Sequence, residues 1–264
     1  MIHLSVKRIS AGYGKNNVIE NIAFDLDDGT LMGIIGANGS GKTTLLKALC
    51  GILPHQGSCT LEGTVLEELS AKQLAKLVSY IPQRSGISID ISALDVVLMG
   101  FNPKLGLLEH PTRKMKDTAM QALEQVGLAG KEETNYLHLS EGQKQLCILA
   151  RTLVSDSKLL LLDEPESALD FRFRHQMLSL LHSWVASRER SAIVTLHDPV
   201  LALNFCDKLL LLSDGGVLDI IAPKSDSLDK MEQVLRKVYG PISLQRCHNR
   251  KGEAQIIMLR EDDL

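Results

Sequence analysis

The stretch Leu31-Met32-Gly33-Ile34-Ile35-Gly36-Ala37-Asn38-Gly39-Ser40-Gly41-Lys42-Thr43-Thr44-Leu45-Leu46 decides how this chain folds. Its apolar opening, Leu31 to Ile35, has the length of a buried strand, and Leu45, Leu46 and Leu49 recur at helical spacing. Between them Gly36 to Thr43 satisfies GxxxxGK[ST], in the strand–loop–helix context that gives the pattern meaning. Glycines let backbone N–H groups approach phosphate oxygens, and the helix N-terminus adds a dipole that favours negative charge. Lys42 is placed to neutralise β- and γ-phosphates, and the Thr43 hydroxyl to ligate Mg²⁺. The plain alternative is a glycine-rich turn that carries a lysine by chance, and the flanking strand and helix argue against it.

Outward from this segment, Ile2, Leu4 and Val6 alternate with His3, Ser5 and Lys7, and Ile22, Phe24 and Leu26 keep that period up to the Asp27-Asp28-Gly29 turn. Both stretches read as strands. After a stop at Gly51 to Pro54, Ser70 caps a short helix holding Leu74 and Leu77, and Val78 to Ile81 is a further strand. From about Arg84 to Ser155 helical patterns take over. Ser92 with Asp95 resembles a capping box, and Met115, Ala119, Ala122, Leu123 and Val126 form one apolar stripe that stops at Gly127. Ser140 with Gln143 opens a helix with Leu146, Leu149, Leu153 and Val154 on one face. Strand and helix then alternate through Leu159 to Leu162, a helix around Leu178 to Val185, Ala192 to Leu196, and Leu209 to Leu212. This predicts a mostly parallel α/β sheet. The tail after Tyr239 reads as a small β-hairpin turning at Lys251-Gly252.

Composition narrows the function classes. A chain of 264 residues, 44% hydrophobic and 23% charged, is an ordinary folded one with one large or two modest domains. A formal charge of -3 and 4% aromatics leave neither a basic footprint nor stacking platforms, so nucleic acid is not an expected partner. Five scattered cysteines without CxxC spacing suggest neither a disulfide framework nor a zinc site, and a reducing compartment fits. The longest apolar runs fall short of the roughly 18 residues of a membrane helix, and MIHLSVKRIS lacks a signal-peptide core. The expectation is a chain that crosses no membrane itself.

Leu159 to Leu162 ends in Asp163-Glu164. A buried strand delivers a carboxylate to the edge where α/β sheets bind ligands, so Asp163 is a candidate for the Mg²⁺ shell. Glu164 is then placed to orient or deprotonate an attacking water. Alone, the pair reads equally as an acidic turn. Ser140-Glu141-Gly142-Gln143 is a helix cap whatever else it is, and a capped helix start is also an anion site. His197 after Ala192 to Leu196, Gln83 after Val78 to Ile81, and Tyr13 each admit a packing role or a functional one.

Taken in order, these elements resemble the nucleotide-binding ATPase subunit of ABC transporters over about residues 2–240. The resemblance implies that Tyr13 stacks on adenine and that Gly36 to Thr43 is the Walker A loop, with Gly36, Asn38, Gly39, Ser40, Gly41, Lys42, Thr43 and Thr44 binding ATP. Gln83 in Tyr80-Ile81-Pro82-Gln83 matches the Q-loop glutamine that senses Mg²⁺ and touches the permease. Leu139-Ser140-Glu141-Gly142-Gln143 resembles the LSGGQ signature, with Ser140, Gly142 and Gln143 facing nucleotide. Leu159 to Asp163 is similar to Walker B, Glu164 to the catalytic carboxylate, Ser167-Ala168-Leu169-Asp170 to the D-loop, and His197 to the switch histidine. The sequence departs from the family pattern at Glu141, where glycine is usual, and at Glu166, where threonine often follows the proline. An acidic group in a first helical turn suits the dipole but also brings negative charge near the phosphate site, so a tuned rate is expected rather than a dead site.

Asp95-Val96-Val97-Leu98-Met99-Gly100-Phe101-Asn102-Pro103, and Thr195-Leu196-His197-Asp198-Pro199 leading on to Asp214-Gly215, resemble importer ATPases for iron–siderophore, haem and cobalamin. The resemblance implies a P-loop NTPase core of mostly parallel sheet at 1–83 and 156–240, an N-terminal antiparallel portion, a helical subdomain at about 84–155, and a hairpin extension at 241–264. It implies ATP and Mg²⁺ as ligands, catalysis by Glu164, His197 and Lys42, and Mg²⁺ held by Thr43, Gln83 and Asp163. The implied partners are a second copy in a head-to-tail homodimer, two transmembrane permease subunits and, indirectly, a solute-binding protein. The implied place is the cytoplasmic face of the inner membrane. Alternatives are a soluble ABC ATPase in assembly, such as iron–sulfur cluster biogenesis, or an importer of another substrate such as molybdate. A P-loop kinase would leave the signature segment and His197 without purpose.

Overall fold

The computed structural model describes residues 2–83, 86–106, 108–186 and 189–261. Residue 1, the start of the expected helical subdomain at 84, and the last positions of the hairpin extension, 262–264, lie outside the described residues. Strands β1 (Ile2–Tyr13) and β2 (Asn16–Asp27) pair antiparallel, and β3 (Leu31–Gly36) leads through the glycine-rich loop into helix α1 (Lys42–Leu49). Next come β4 (His55–Leu61), β5 (Thr64–Val65), α2 (Ala71–Leu77) and β6 (Val78–Ile81). Three helices follow, α3 (Ala93–Leu98), α4 (Arg113–Gln125) and α5 (Glu141–Val154), and they pack on one another. The chain then runs through β7 (Leu159–Asp163), α6 (Phe171–Ala186), β8 (Ser191–Thr195), α7 (Pro199–Phe205), β9 (Lys208–Ser213), β10 (Gly216–Ile221) and α8 (Leu228–Tyr239). Strands β11 (Ile242–His248) and β12 (Ala254–Arg260) close it.

Among the described residues, one sheet has the order β2-β1-β4-β5 and a larger one β10-β9-β3-β8-β7-β6. In the larger sheet every pairing is parallel except β10 with β9. Its central strands are covered on both faces, which is why Leu159 to Leu162 reads as an unbroken apolar run rather than an alternation. The period of two survives in the packing. Leu159 and Leu161 join Leu46, Ile9 and Ile19 in the core against the antiparallel sheet, while Leu160 and Leu162 join Leu146, Leu178 and Ala192 on the helical side.

Helix caps follow the sequence in detail. Ser70 with Gln73 and Ser140 with Gln143 form reciprocal capping boxes. Ser92 accepts from the Asp95 N–H but makes no such box: its hydroxyl donates to Asp95 Oδ2 at 2.6 Å, so the short carboxylate bonds the cap side chain instead of the cap backbone. The structure adds elements that periodicity does not announce. β4 fully buries only Cys59 and Leu61 and exposes Gln56 and Gly57; α7, α8 and β10 are likewise additional. The terminal hairpin turns at Asn249–Glu253, with Gly252 at φ 82.

Candidate active site

Parallel pairing brings the C-terminal ends of β3, β6, β7 and β8 to one edge of the larger sheet, the place where α/β sheets present ligand-binding groups. The loop after β3 tolerates no side chain at two points. A Cβ on Gly36 would lie 2.3 Å from the Leu212 carbonyl oxygen, and one on Gly41 would lie 2.3 Å from Ile19 Cγ2. Gly41 also sits at φ 101, immediately before α1. Lys42 is buried, and its Nζ donates to the carbonyls of Gly36 at 2.9 Å and Ala37 at 3.1 Å. Burial lowers its pKa, and the charges of Glu164, Asp163 and Glu166 oppose that shift. Ser40 Oγ is buried without a hydrogen-bond partner. An orphaned hydroxyl, a buried ammonium and a helix start together fit a phosphate group. Asn38, Gly39, Gly41, Lys42, Thr43 and Thr44 line a cavity of about 160 Å³ here, with Glu164 on its wall.

Asp163, at the end of β7, is 3% exposed and fully engaged. Its Oδ1 accepts from Thr43 Oγ1 and Thr195 Oγ1, each at 3.0 Å, and its Oδ2 from the Tyr80 hydroxyl at 3.3 Å. Burial and the neighbouring carboxylate push the Tyr80 pKa up, so the phenol keeps its proton. A carboxylate beside a hydroxyl at a phosphate cradle is a hard oxygen set that suits Mg²⁺.

Glu164 has φ 48, a left-handed conformation that costs a non-glycine residue about 1–3 kcal/mol. Its N–H donates to Thr195 Oγ1 at 2.8 Å, which holds the turn. Its carboxylate is gripped on both oxygens. Gln83 Nε2 donates to Oε2 at 2.6 Å, and His197 Nε2 lies 2.6 Å from Oε1. Behind them Glu166, 3% exposed, accepts the His197 N–H on Oε1 at 3.0 Å, while its Oε2 is buried without a partner. Burial raises the Glu166 pKa, and the bond from His197 acts against that rise.

The structure therefore gathers Lys42, Thr43, Gln83, Asp163, Glu164 and His197 at one sheet edge. The signature residues are not among them. Ser140, Gly142 and Gln143 line a separate cavity of about 410 Å³ with Ala168 and Asp170, and no residue is common to the two linings. There Ser140 Oγ accepts the Gln143 N–H at 3.3 Å, and Asp170 Oδ1 accepts the Phe173 N–H at 3.0 Å, capping α6. A Cβ on Gly142 would meet the Ala168 carbonyl at 3.0 Å, which ties the signature turn to the D-loop. Glu141 points outward and pairs with Lys144 at 2.8 Å. Tyr13 ends β1, is 54% exposed, and has Lys47 Nζ 6.0 Å from its ring centroid. Thr195 and Tyr80 are site residues that the sequence reading missed. They are visible only through strand register, which sets Asp163 opposite Thr195 and Tyr80 opposite Leu161.

Comparisons with known proteins give the family. The sequence profile of the ABC transporter family matches residues 19–167, more than half of the chain. The hemin import ATP-binding protein HmuV of Vibrio parahaemolyticus is 36% identical over 251 residues, covering 93% of this chain and 94% of that protein. The ABC transporter ATP-binding protein YvrA of Bacillus subtilis is 30% identical over 263 residues, 98% of this chain, and the chain spans 59% of its length. Among solved structures, an inward-facing conformation of a metal-chelate type ABC transporter superposes with a TM-score of 0.81 at 28% identity, covering 99% of each chain. The P-loop cradle, the Asp163-Glu164 edge and these matches lead to one conclusion: the chain belongs to the ABC transporter family, as one of its ATP-binding, ATP-hydrolysing cassettes.

Proposed function

We propose that this chain energises the uptake of a metal chelate, of the iron–siderophore, haem or cobalamin kind, through separate permease subunits. The observation that carries the hydrolytic part is the grip of Gln83 and His197 on the two oxygens of Glu164 beside the P-loop cavity. The cargo class rests on similarity along nearly the whole chain to a protein named for hemin import.

In this reading the Lys42 ammonium and the loop N–H groups hold the β- and γ-phosphates, and the exposed Tyr13 ring stacks on adenine. Thr43, Asp163 and Gln83 would hold Mg²⁺, which when bound neutralises charge on the phosphate oxygens. Glu164 orients the attacking water and accepts its proton. His197 fixes the carboxylate and stands ready for the γ-phosphate, and Glu166 fixes the backbone of His197.

The signature cavity supports a head-to-tail homodimer. Ser140, Gly142 and Gln143 form an anion-capable helix start in a cavity that shares no lining residue with the P-loop cavity of the same chain, so a second copy supplies them across the interface with its Asp170 turn. ATP bridges the two chains and hydrolysis lets them part, because contacts to the γ-phosphate exist only in the closed pair. The core at 1–83 and 156–240 and the helical portion at about 84–155 then move relative to each other about Gln83, and the helical portion meets the permease. The place is the cytoplasmic membrane face, as a peripheral subunit. Among the described residues no helix is long and apolar enough to cross a membrane. Purification of the tagged chain from detergent-solubilised membranes of its source tests this. A permease with several transmembrane helices is expected to accompany it, and recovery with soluble assembly proteins alone contradicts an importer.

A further inference from the structure

A second cluster of reactive side chains sits on the antiparallel sheet. His55 opens β4, Cys59 lies four residues on, and Glu67 reaches back from the 3-10 turn Leu66–Glu68. Their ligand atoms all lie within 4.8 Å of one another. None of the three lines the P-loop cavity or the signature cavity.

The hydrogen bonds show where a cation fits. The neutral His55 ring satisfies its short contact by donating the Nε2–H to Glu67 Oε1 at 2.9 Å. A metal ion bound by both atoms takes the place of that proton, and the ring proton then sits on Nδ1, which faces the Leu53 carbonyl oxygen at 3.5 Å. The Cys59 N–H donates to the same Glu67 oxygen at 2.7 Å and holds the carboxylate in place. Cys59 itself is 1% exposed. Burial, and then the Glu67 charge, push its thiol up to about 12, so the sulfur keeps its proton until a metal displaces it.

We propose that His55 Nε2, Cys59 Sγ and the Glu67 carboxylate form a binding site for one thiophilic divalent transition-metal ion, with zinc the best fit. Imidazole, thiolate and carboxylate are zinc's own ligand types, at about 2.0–2.3 Å. Tetrahedral coordination at those lengths sets ligand atoms about 3.5 Å apart, so atoms up to 4.8 Å apart close by at most about 1.3 Å, and His55 Nε2 and Glu67 Oε1, now at 2.9 Å, part slightly. Mg²⁺ and Ca²⁺ disfavour sulfur, which separates this site chemically from the P-loop. The contact from His55 Nδ1 to a carbonyl is the outer support that ligating histidines use to fix their ring. Glu67, 29% exposed against 9% for His55, leaves a path for the ion and for water as a fourth ligand. Binding releases the Cys59 thiol proton to solvent and leaves the ring proton on Nδ1, and no electron moves. The bound ion ties β4 to the turn after β5.

The test uses nucleotide-free full-length protein carrying Cys247→Ser, which removes the exposed thiol, titrated with cobalt chloride and then zinc chloride. One equivalent of cobalt is expected to give a thiolate-to-metal band in the near ultraviolet and visible bands of a tetrahedral ion, all displaced by zinc. His55→Ala and Glu67→Gln are each expected to weaken zinc binding at least about tenfold while ATP turnover stays at the parent rate. Cys59→Ser removes the thiolate band; because Cys59 is core, the two less buried variants decide the matter. Absence of a band at one equivalent, or a band with parent affinity in His55→Ala and Glu67→Gln, overturns the proposal and leaves only a hydrogen bond between His55 and Glu67.

Discussion

Gln83 Nε2 donates to Glu164 Oε2 at 2.6 Å, so the residue that follows β6 toward the helical portion holds one oxygen of the carboxylate that follows β7. In the proposed mechanism this bond is the direct link between the helical portion and the candidate hydrolytic site.

Gln83→Ala removes one donor from that carboxylate. Hydrogen bonds to charged groups contribute about 1.5–3 kcal/mol, which is about ten- to a hundredfold in rate where the bond orients a reacting group. Steady-state kinetics are expected to show kcat for ATP hydrolysis lowered by about that factor, with a much smaller change in KM. A parent-like kcat removes Gln83 from the orientation of Glu164.

Thr195 joins the two acids, donating to Asp163 Oδ1 at 3.0 Å and accepting the Glu164 N–H at 2.8 Å. Thr195→Val keeps the shape, loses both bonds and leaves a buried N–H without its partner. The expected cost is about 1–3 kcal/mol of stability, seen as a melting temperature lowered by several degrees, about 2–4 °C per kcal/mol. ATP turnover falls as well, because the left-handed turn at Glu164 loses its tether. Turnover unchanged in a destabilised variant would separate the two effects and count against a positioning role.

Glu166 gives the protein a pH signature. Burial raises its pKa above the ordinary 4.5, so the folded chain binds this proton more tightly than the unfolded chain does. Between pH 4.5 and the folded value, stability therefore declines as pH rises. Glu166→Gln still accepts the His197 N–H but carries no charge. Its melting temperature relative to the parent is expected to be nearly level at about pH 4 and to gain progressively toward neutral pH, by differential scanning fluorimetry. A pH-independent difference contradicts a buried titrating carboxylate.

Legibility followed chain continuity. Leu31 to Thr43 and Leu159 to Glu164 each hold their meaning within one run of residues, and the structure sets both at the same sheet edge. The capping boxes at Ser70 and Ser140 were equally local. β4 was illegible because Gly57, at φ 94, interrupts its alternation where a Cβ would strike the Arg8 carbonyl at 2.4 Å. The third contact of Asp163, to Tyr80, and the bridge through Thr195 depend on which strands become neighbours, and no single run of residues encodes that. Glu166 stood out only as a departure from a pattern. Its burial against His197 follows from the approach of the turn after β7 to the end of β8.

That Glu164 is the catalytic carboxylate is tested most directly by single-turnover ATP hydrolysis with Glu164→Gln. Loss of a general base is worth about 10²–10⁴-fold, so the variant is expected to bind ATP, gather into a dimer and hydrolyse slower by about that factor. Hydrolysis at the parent rate would contradict the assignment.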